Sequence, residues 1–132
     1  MTRLENWPSL LAAFVESRIE APFVWGVNDC CAFAARAVEV ITGREVFADW
    51  ATYADAAGAA RVVQSAGGVD AIADRVLGAR IAAAFAQRGD VVLVEIDGRQ
   101  SLAVCLGQVY AAPGVERLAF IPAGGAQCAW RV

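Results

Sequence analysis

At Arg88-Gly89-Asp90 the hydrophobic period of the chain changes, and that one change limits the folds open to it. Upstream, apolar residues recur every three or four positions, as on one face of a helix. Downstream they alternate or run in short stretches bounded by turn residues, as in strands. Helices first and strands second, with no dividing linker and no internal repeat, predict an α+β domain with N-terminal helices packed on one side of a C-terminal antiparallel sheet. The 132 residues make one domain of this kind, long enough to bury roughly two-thirds of the surface the unfolded chain exposes.

The helical half reads in four pieces. Leu4, Trp7, Leu11, Phe14 and Arg18 fall at helical spacing, widened by Leu10, Val15 and Ile19, with Pro8 tolerated in the first turn. Residues 21–28, with Pro22, Phe23, Trp25 and Gly26, read as a loop. Asp29 then offers an N-cap carboxylate to a helix that carries Cys30, Phe33, Ala34, Ala37, Val38 and Ile41 on one stripe and ends at Thr42-Gly43. Ala-rich segments from about Ala51 to Ser65 and from Val69 to Leu77, separated by Gly67-Gly68 and closed by Gly78, read as packing helices. The second half predicts a meander: Val91 to Ile96, a turn at Asp97-Gly98, then Ser101 to Leu106, Val109 to Ala112 and Val115 to Ile121.

Composition removes several classes of function. Hydrophobic residues make up 58% and charged residues 19% of the chain, which excludes intrinsic disorder and suggests that some apolar surface meets a partner. The net charge of −3 and scattered basic residues give no electrostatic footprint for nucleic acid. All eleven basic residues are Arg and 29 residues are Ala, a coding bias rather than a functional signal. The apolar run from Leu10 to Val15 is too short for a secretory leader and is soon followed by charges. The uncharged run from Gln100 to Val115 is interrupted by Gly107, Pro113 and Gly114 and is too short to span a membrane.

The chain contains no His, which removes the commonest general base, zinc ligand and pH switch together. Its four Cys, at 30, 31, 105 and 128, suit neither a disulfide framework nor a paired metal knuckle, and free thiols are expected. Adjacent Cys30 and Cys31 diverge by about 100° around a helix, so no metal or iron–sulfur site and no cofactor is expected. A thiol at a helix N-terminus has its thiolate favoured by the macrodipole and by free backbone N–H groups. Asp29-Cys30 therefore has two readings: a nucleophile beside its helix cap, or a cap followed by small buried hydrophobes that complete the packing.

Arg18, Pro22-Phe23, Trp25-Gly26, Asp29-Cys30, Phe33-Ala34-Ala35 and Thr42-Gly43, followed by Gly89-Asp90-Val91-Val92 and the final Cys128-Ala129-Trp130-Arg131-Val132, resemble an uncharacterised bacteriophage and prophage family related to the NlpC-type cell-wall peptidases. The resemblance runs over nearly the whole chain. It implies a papain-like fold over residues 1–132 with Cys30 in the nucleophile's position after Asp29. Aligned without gaps, the strand that carries the family's catalytic His reads Ser101-Leu102-Ala103-Val104-Cys105-Leu106-Gly107, so Ser101 stands where the His would be. The following strand, Val109-Tyr110-Ala111-Ala112, offers no match to the third polar group.

Alternation puts Ser101, Ala103 and Cys105 on one face, with Cys105 directed toward the cleft of Cys30, as a redox pair or as packing. Trp25 and Gly26 are expected to line that cleft with Cys105. Asp29, Asp90 and Glu95 are the carboxylates at hand, and any of them would need strong burial to serve as an acid near neutrality. The resemblance implies a tail-tip component of a virion, assembled in the host cytoplasm. Its partners would be distal tail, hub and tape-measure proteins, with peptidoglycan close by. The loop 21–27 and the segment 119–132 would supply its apolar contact surface, or else form ordinary core. The alternative is an active peptidase or amidase acting on peptidoglycan peptides, with Cys30 attacking, its own N–H holding the oxyanion, and Ser101 or a water replacing the His.

Overall fold

The computed structural model describes residues 2–46 and 53–132. Helix α1 spans Trp7–Arg18, with Pro8 in its first turn where no intrahelical N–H is needed. Helix α2 spans Cys30–Thr42; the Asp29 side chain caps its start, and Gly43 in the left-handed region closes it. Helix α3 runs Ala56–Ala66 behind the cap of Asp55, and α4 runs Val69–Leu77 between Gly68 and Gly78. The expected helical start near Ala51 lies outside the described residues.

The strands are β1 (Arg80–Ile81), β2 (Val91–Ile96), β3 (Arg99–Cys105), β4 (Val109–Pro113), β5 (Leu118–Pro122) and β6 (Cys128–Trp130). They form one antiparallel sheet in the order β1-β6-β2-β3-β4-β5, so the fold is α+β with the expected meander from β2 to β5. Two strands were not foreseen. β6 returns from the C-terminus to lie between β1 and β2, pairing Trp130 with both Arg80 and Val91. The segment 119–132, offered as contact surface, is therefore partly core: Ala129 and Trp130 are fully buried and Val132 nearly so. β5 also begins at Leu118 rather than Val115, because Gly114 N–H closes a tight turn onto the Arg117 carbonyl at 2.9 Å.

Strand alternation divides the buried residues into two layers. On the helical side, Val91, Leu93, Leu102, Val104, Ala111, Leu118 and Trp130 join α1, α2 and α4 in the main core. α2 lies against β3 and β4, with α1 packed on it through Phe14 and Phe33, whose rings are 5.2 Å apart. On the other side, Val92, Val94, Ala103, Cys105, Tyr110, Ala112 and Ala129 form a second, smaller core. The near-continuous apolar character of β2 follows from burial on both faces. Among the described residues no helix is long and apolar enough to cross a membrane.

Two polar clamps hold the ends of the sheet. Asp90, 1% exposed, accepts from Arg3, from the Val132 amide and from the Gln87 amide, tying both ends of the chain to the start of β2. Arg80 forms ion pairs with Asp70 and Asp74, and Asp74 in turn accepts from the Trp130 indole at 3.0 Å, fixing α4 to β1 and β6.

Candidate functional site

Asp29 is buried, and its carboxylate is committed to three donors. Oδ1 accepts the Ala32 amide at 2.9 Å, capping α2, while Oδ2 accepts the Gly26 amide at 2.8 Å and the Tyr53 hydroxyl at 2.7 Å. Gly26 has φ +78, and a Cβ there would collide with the Tyr53 carbonyl oxygen. Glycine at this position therefore lets the backbone at residue 53 close over the loop. The same loop is pinned by Asn28, which donates to the Pro22 carbonyl at 2.9 Å, and by the Phe23 amide, which donates to Val115 in the β4–β5 turn at 3.2 Å. Trp25 is half-buried and stands edge-on to Phe23 with 4.8 Å between ring centroids.

Cys30 follows Asp29 and is partly exposed, whereas Cys31 is buried. Hydrogen bonding from the Cys31 side chain and from the Leu102 and Cys31 backbone acts on the Cys30 thiol. Together these donors hold the Cys30 thiol below its ordinary range against the opposing effects of burial and of the Asp29 charge. The contact with Cys30, reinforced by burial, pushes the Cys31 thiol well up, so Cys31 keeps its proton.

The Leu102 N–H is available for a structural reason. The Cys105 amide donates to Asp90 on the β2 side, so amides at even positions of β3 point toward β4, as the Leu106 amide does to Val109. The β3–β4 ladder covers only Val104–Ala111 and Cys105–Tyr110. The Leu102 amide lies beyond the paired registers of that ladder.

Ser101 and Cys105 belong elsewhere. Ser101 pairs with Val94 and Cys105 packs with Tyr110 and Ala112, on the face of the sheet away from α2. The parity of β3 brings Leu102 and Val104 to the helical side instead, because these larger apolar residues fill the main core. Cys30 and Cys105 are therefore separated by the sheet, and Ser101 does not reach the thiol. Trp25, Gly26 and Asp29 do gather at the Cys30 end of α2. Sequence reasoning missed Tyr53, whose hydroxyl burial and the Asp29 carboxylate keep protonated far above its ordinary range. The Tyr53–Gly26 approach left one trace in the sequence, the glycine after Trp25.

Among the described residues, Cys30 thus has a favoured thiolate but no neighbour that accepts and returns a proton near neutrality. Asp29 is consumed as a cap, and Tyr53 and Cys31 hold their protons. Among the described residues, no three His, Cys, Asp or Glu side chains converge to hold a metal ion. A small void between α2, α4 and the sheet, lined by Ala34, Val38, Ala73 and Val91, is apolar and carries no chemistry.

Fold and site together define a small α+β domain with an activated thiol at the start of its central helix. The chain belongs to the family described as a domain of unknown function (DUF6950), which matches residues 2–132. No curated protein and no solved structure matches it.

Proposed function

We propose that the protein is a non-catalytic relative of the NlpC-type peptidases, with a papain-like arrangement of helix and sheet, that serves as a structural component of a phage or phage-derived tail tip. The observation that carries the loss of catalysis is the identity of the side chain facing Cys30. The strand contributes Leu102 on that side, Ser101 is on the other, and the chain has no imidazole to put there. Losing the triad His costs a serine protease roughly a millionfold in turnover.

The tail assignment rests on the resemblance of Trp25-Gly26, Asp29-Cys30 and the C-terminal Cys128–Val132 run. Exposed Val24, Val27 and Val115, near the tether between Phe23 and the β4–β5 turn, suit a protein that packs against others in an assembly. Its neighbours would be distal tail, hub and tape-measure proteins, close to peptidoglycan when the particle meets a cell. The test is stoichiometric: the protein should co-purify with intact particles at a fixed copy number, and its presence only in lysate would refute the assignment.

A second reading is favoured by the lowered Cys30 thiol, whose thiolate forms more readily than that of an ordinary Cys. In that reading the domain is a hydrolase of peptidoglycan peptides. Turnover of purified muropeptides that is lost in Cys30→Ala would establish it and overturn the structural role.

A further inference from the structure

We infer that residues 53–66 form a strap over the loop at the start of α2, latched by Tyr53, which opens as one unit and releases loop 21–28 when it does. The inference goes beyond the proposed function. It concerns a motion built into the fold and holds whether or not Cys30 reacts.

The seat of Tyr53 carries it. The hydroxyl donates to Asp29 Oδ2 at 2.7 Å, and the Gly26 amide donates to the same oxygen at 2.8 Å. A glycine flanks Tyr53 on each of the two elements it joins. On the loop side, a Cβ at Gly26 would collide with the Tyr53 carbonyl oxygen; on the helix side, a Cβ at Gly58 would lie 3.0 Å from the Tyr53 Cβ. Both approaches are close enough to leave no room for a side chain. Asp55, two residues beyond Tyr53, caps α3 by accepting that same Gly58 amide. Latch and first helical turn are thus one piece, and displacing α3 draws Tyr53 away from Asp29.

Burial decides which side moves. α3 fully buries one of its eleven residues, Ala59, and packs on α4 with Val62, Val63 and Ala66 half-buried. α2 buries nine of its thirteen. Elements with few buried apolar contacts open at lower free energy than the core, so α3 leaves before α2 does. The two oxygens of Asp29 then divide the outcome. Oδ1 keeps the Ala32 amide and with it the cap of α2, whereas Oδ2 loses the Tyr53 donor and Gly26 loses the backbone that closes over it. The loop is released and the helix is not.

The test is native-state hydrogen exchange, read by NMR, on the full-length chain and on Tyr53→Phe, Asp55→Ala and the two combined. Tyr53→Phe removes the hydroxyl alone. Because a hydrogen bond to a charged group is worth about tenfold in an opening equilibrium, the Gly26 and α3 amides should exchange about tenfold faster, with the Ala32 and β2 amides unchanged. Asp55→Ala loosens the first turn of α3 without touching the loop, and should speed exchange at Gly26 about fivefold. In the Tyr53→Phe background that second effect should largely vanish at Gly26, since the coupling runs through the latch. Faster exchange in α3 with Gly26 unchanged would overturn the inference, because helix and loop would then move independently. So would equal acceleration at Gly26 and Ala32, which would mean that Asp29 releases loop and helix together. Should Tyr53→Phe speed β2 exchange as well, Asp55→Ala decides alone: acceleration at Gly26 supports the strap, and none overturns it.

Discussion

Two aspartates do the same local work at opposite extremes of burial, and comparing them isolates what the Asp29 knot contributes. Asp55 caps α3 by accepting the Gly58 amide at 2.7 Å in an exposed position. Asp29 caps α2 while buried and also satisfies the Gly26 amide and the Tyr53 hydroxyl. Replacing an N-cap aspartate by Ala costs typically about 1 kcal/mol, which is the whole expectation for Asp55→Ala. Asp29→Ala loses the same cap and leaves two part-buried donors without an acceptor, each costing about 1 kcal/mol at the low end of the range, so about 3 kcal/mol in all. With a urea m-value of about 2 kcal/mol/M, the midpoint should fall by about 1.5 M for Asp29→Ala and about 0.5 M for Asp55→Ala. Equilibrium urea unfolding followed by tryptophan fluorescence, with Trp130 at the centre of the main core, reads both. Equal shifts for the two variants would refute the claim that Asp29 organises the loop as well as the helix.

Three further outcomes are expected. Gly26→Ala places a methyl group against the Tyr53 carbonyl at positive φ and should lower stability by more than about 1 kcal/mol; an unchanged melting temperature would show that the segment at residue 53 yields freely. Ser101→His puts an imidazole on the face away from α2, so it should leave muropeptides uncut; a gain of hydrolysis would show that the face assignment of β3 is wrong. Iodoacetamide should alkylate Cys30 with a lower pH midpoint than Cys128, because hydrogen bonding lowers the first thiol and burial raises the second. Cys31→Ala should move the Cys30 midpoint upward by removing the main donor to its sulfur, and an unmoved midpoint would deny that contact.

Much of the fold was legible because its signals are local. Asp29 and Gly43 bracket α2, Gly68 and Gly78 bracket α4, and Asp97-Gly98 makes the β2–β3 turn, with Asp97 itself at φ 51. What escaped depends on long-range pairing. β1 has two residues and β6 three, too few to show a period, and their strand character comes from insertion beside β2 rather than from their own side chains. The β3 error has a related cause. A period of two groups Ser101 with Cys105 but cannot say which group faces the helices, and a one-position choice moves every side chain across the sheet. The weight of Leu102 and Val104 against Ala103 decides it, as the two cores show.

At the site, Asp29 and Cys30 were legible as a cap and a thiol in the first turn, while the groups that give the thiol its character were not. Leu102 contributes a backbone N–H released where β4 departs from β3, and Tyr53 reaches Asp29 from 24 positions away; no side-chain pattern encodes either. This difference bears on the chemistry. An imidazolium beside a thiolate both stabilises it and carries a proton to a departing amine. Backbone N–H groups and the Cys31 thiol do only the first of these for Cys30. On the proposed function, such a sulfur suits an activated acyl group that expels a stable anion better than an amide, whose departing amine needs a proton. On that reading the donors around Cys30 favour its thiolate without supplying the acid that amide hydrolysis needs, which fits the proposed structural role of a peptidase-like scaffold.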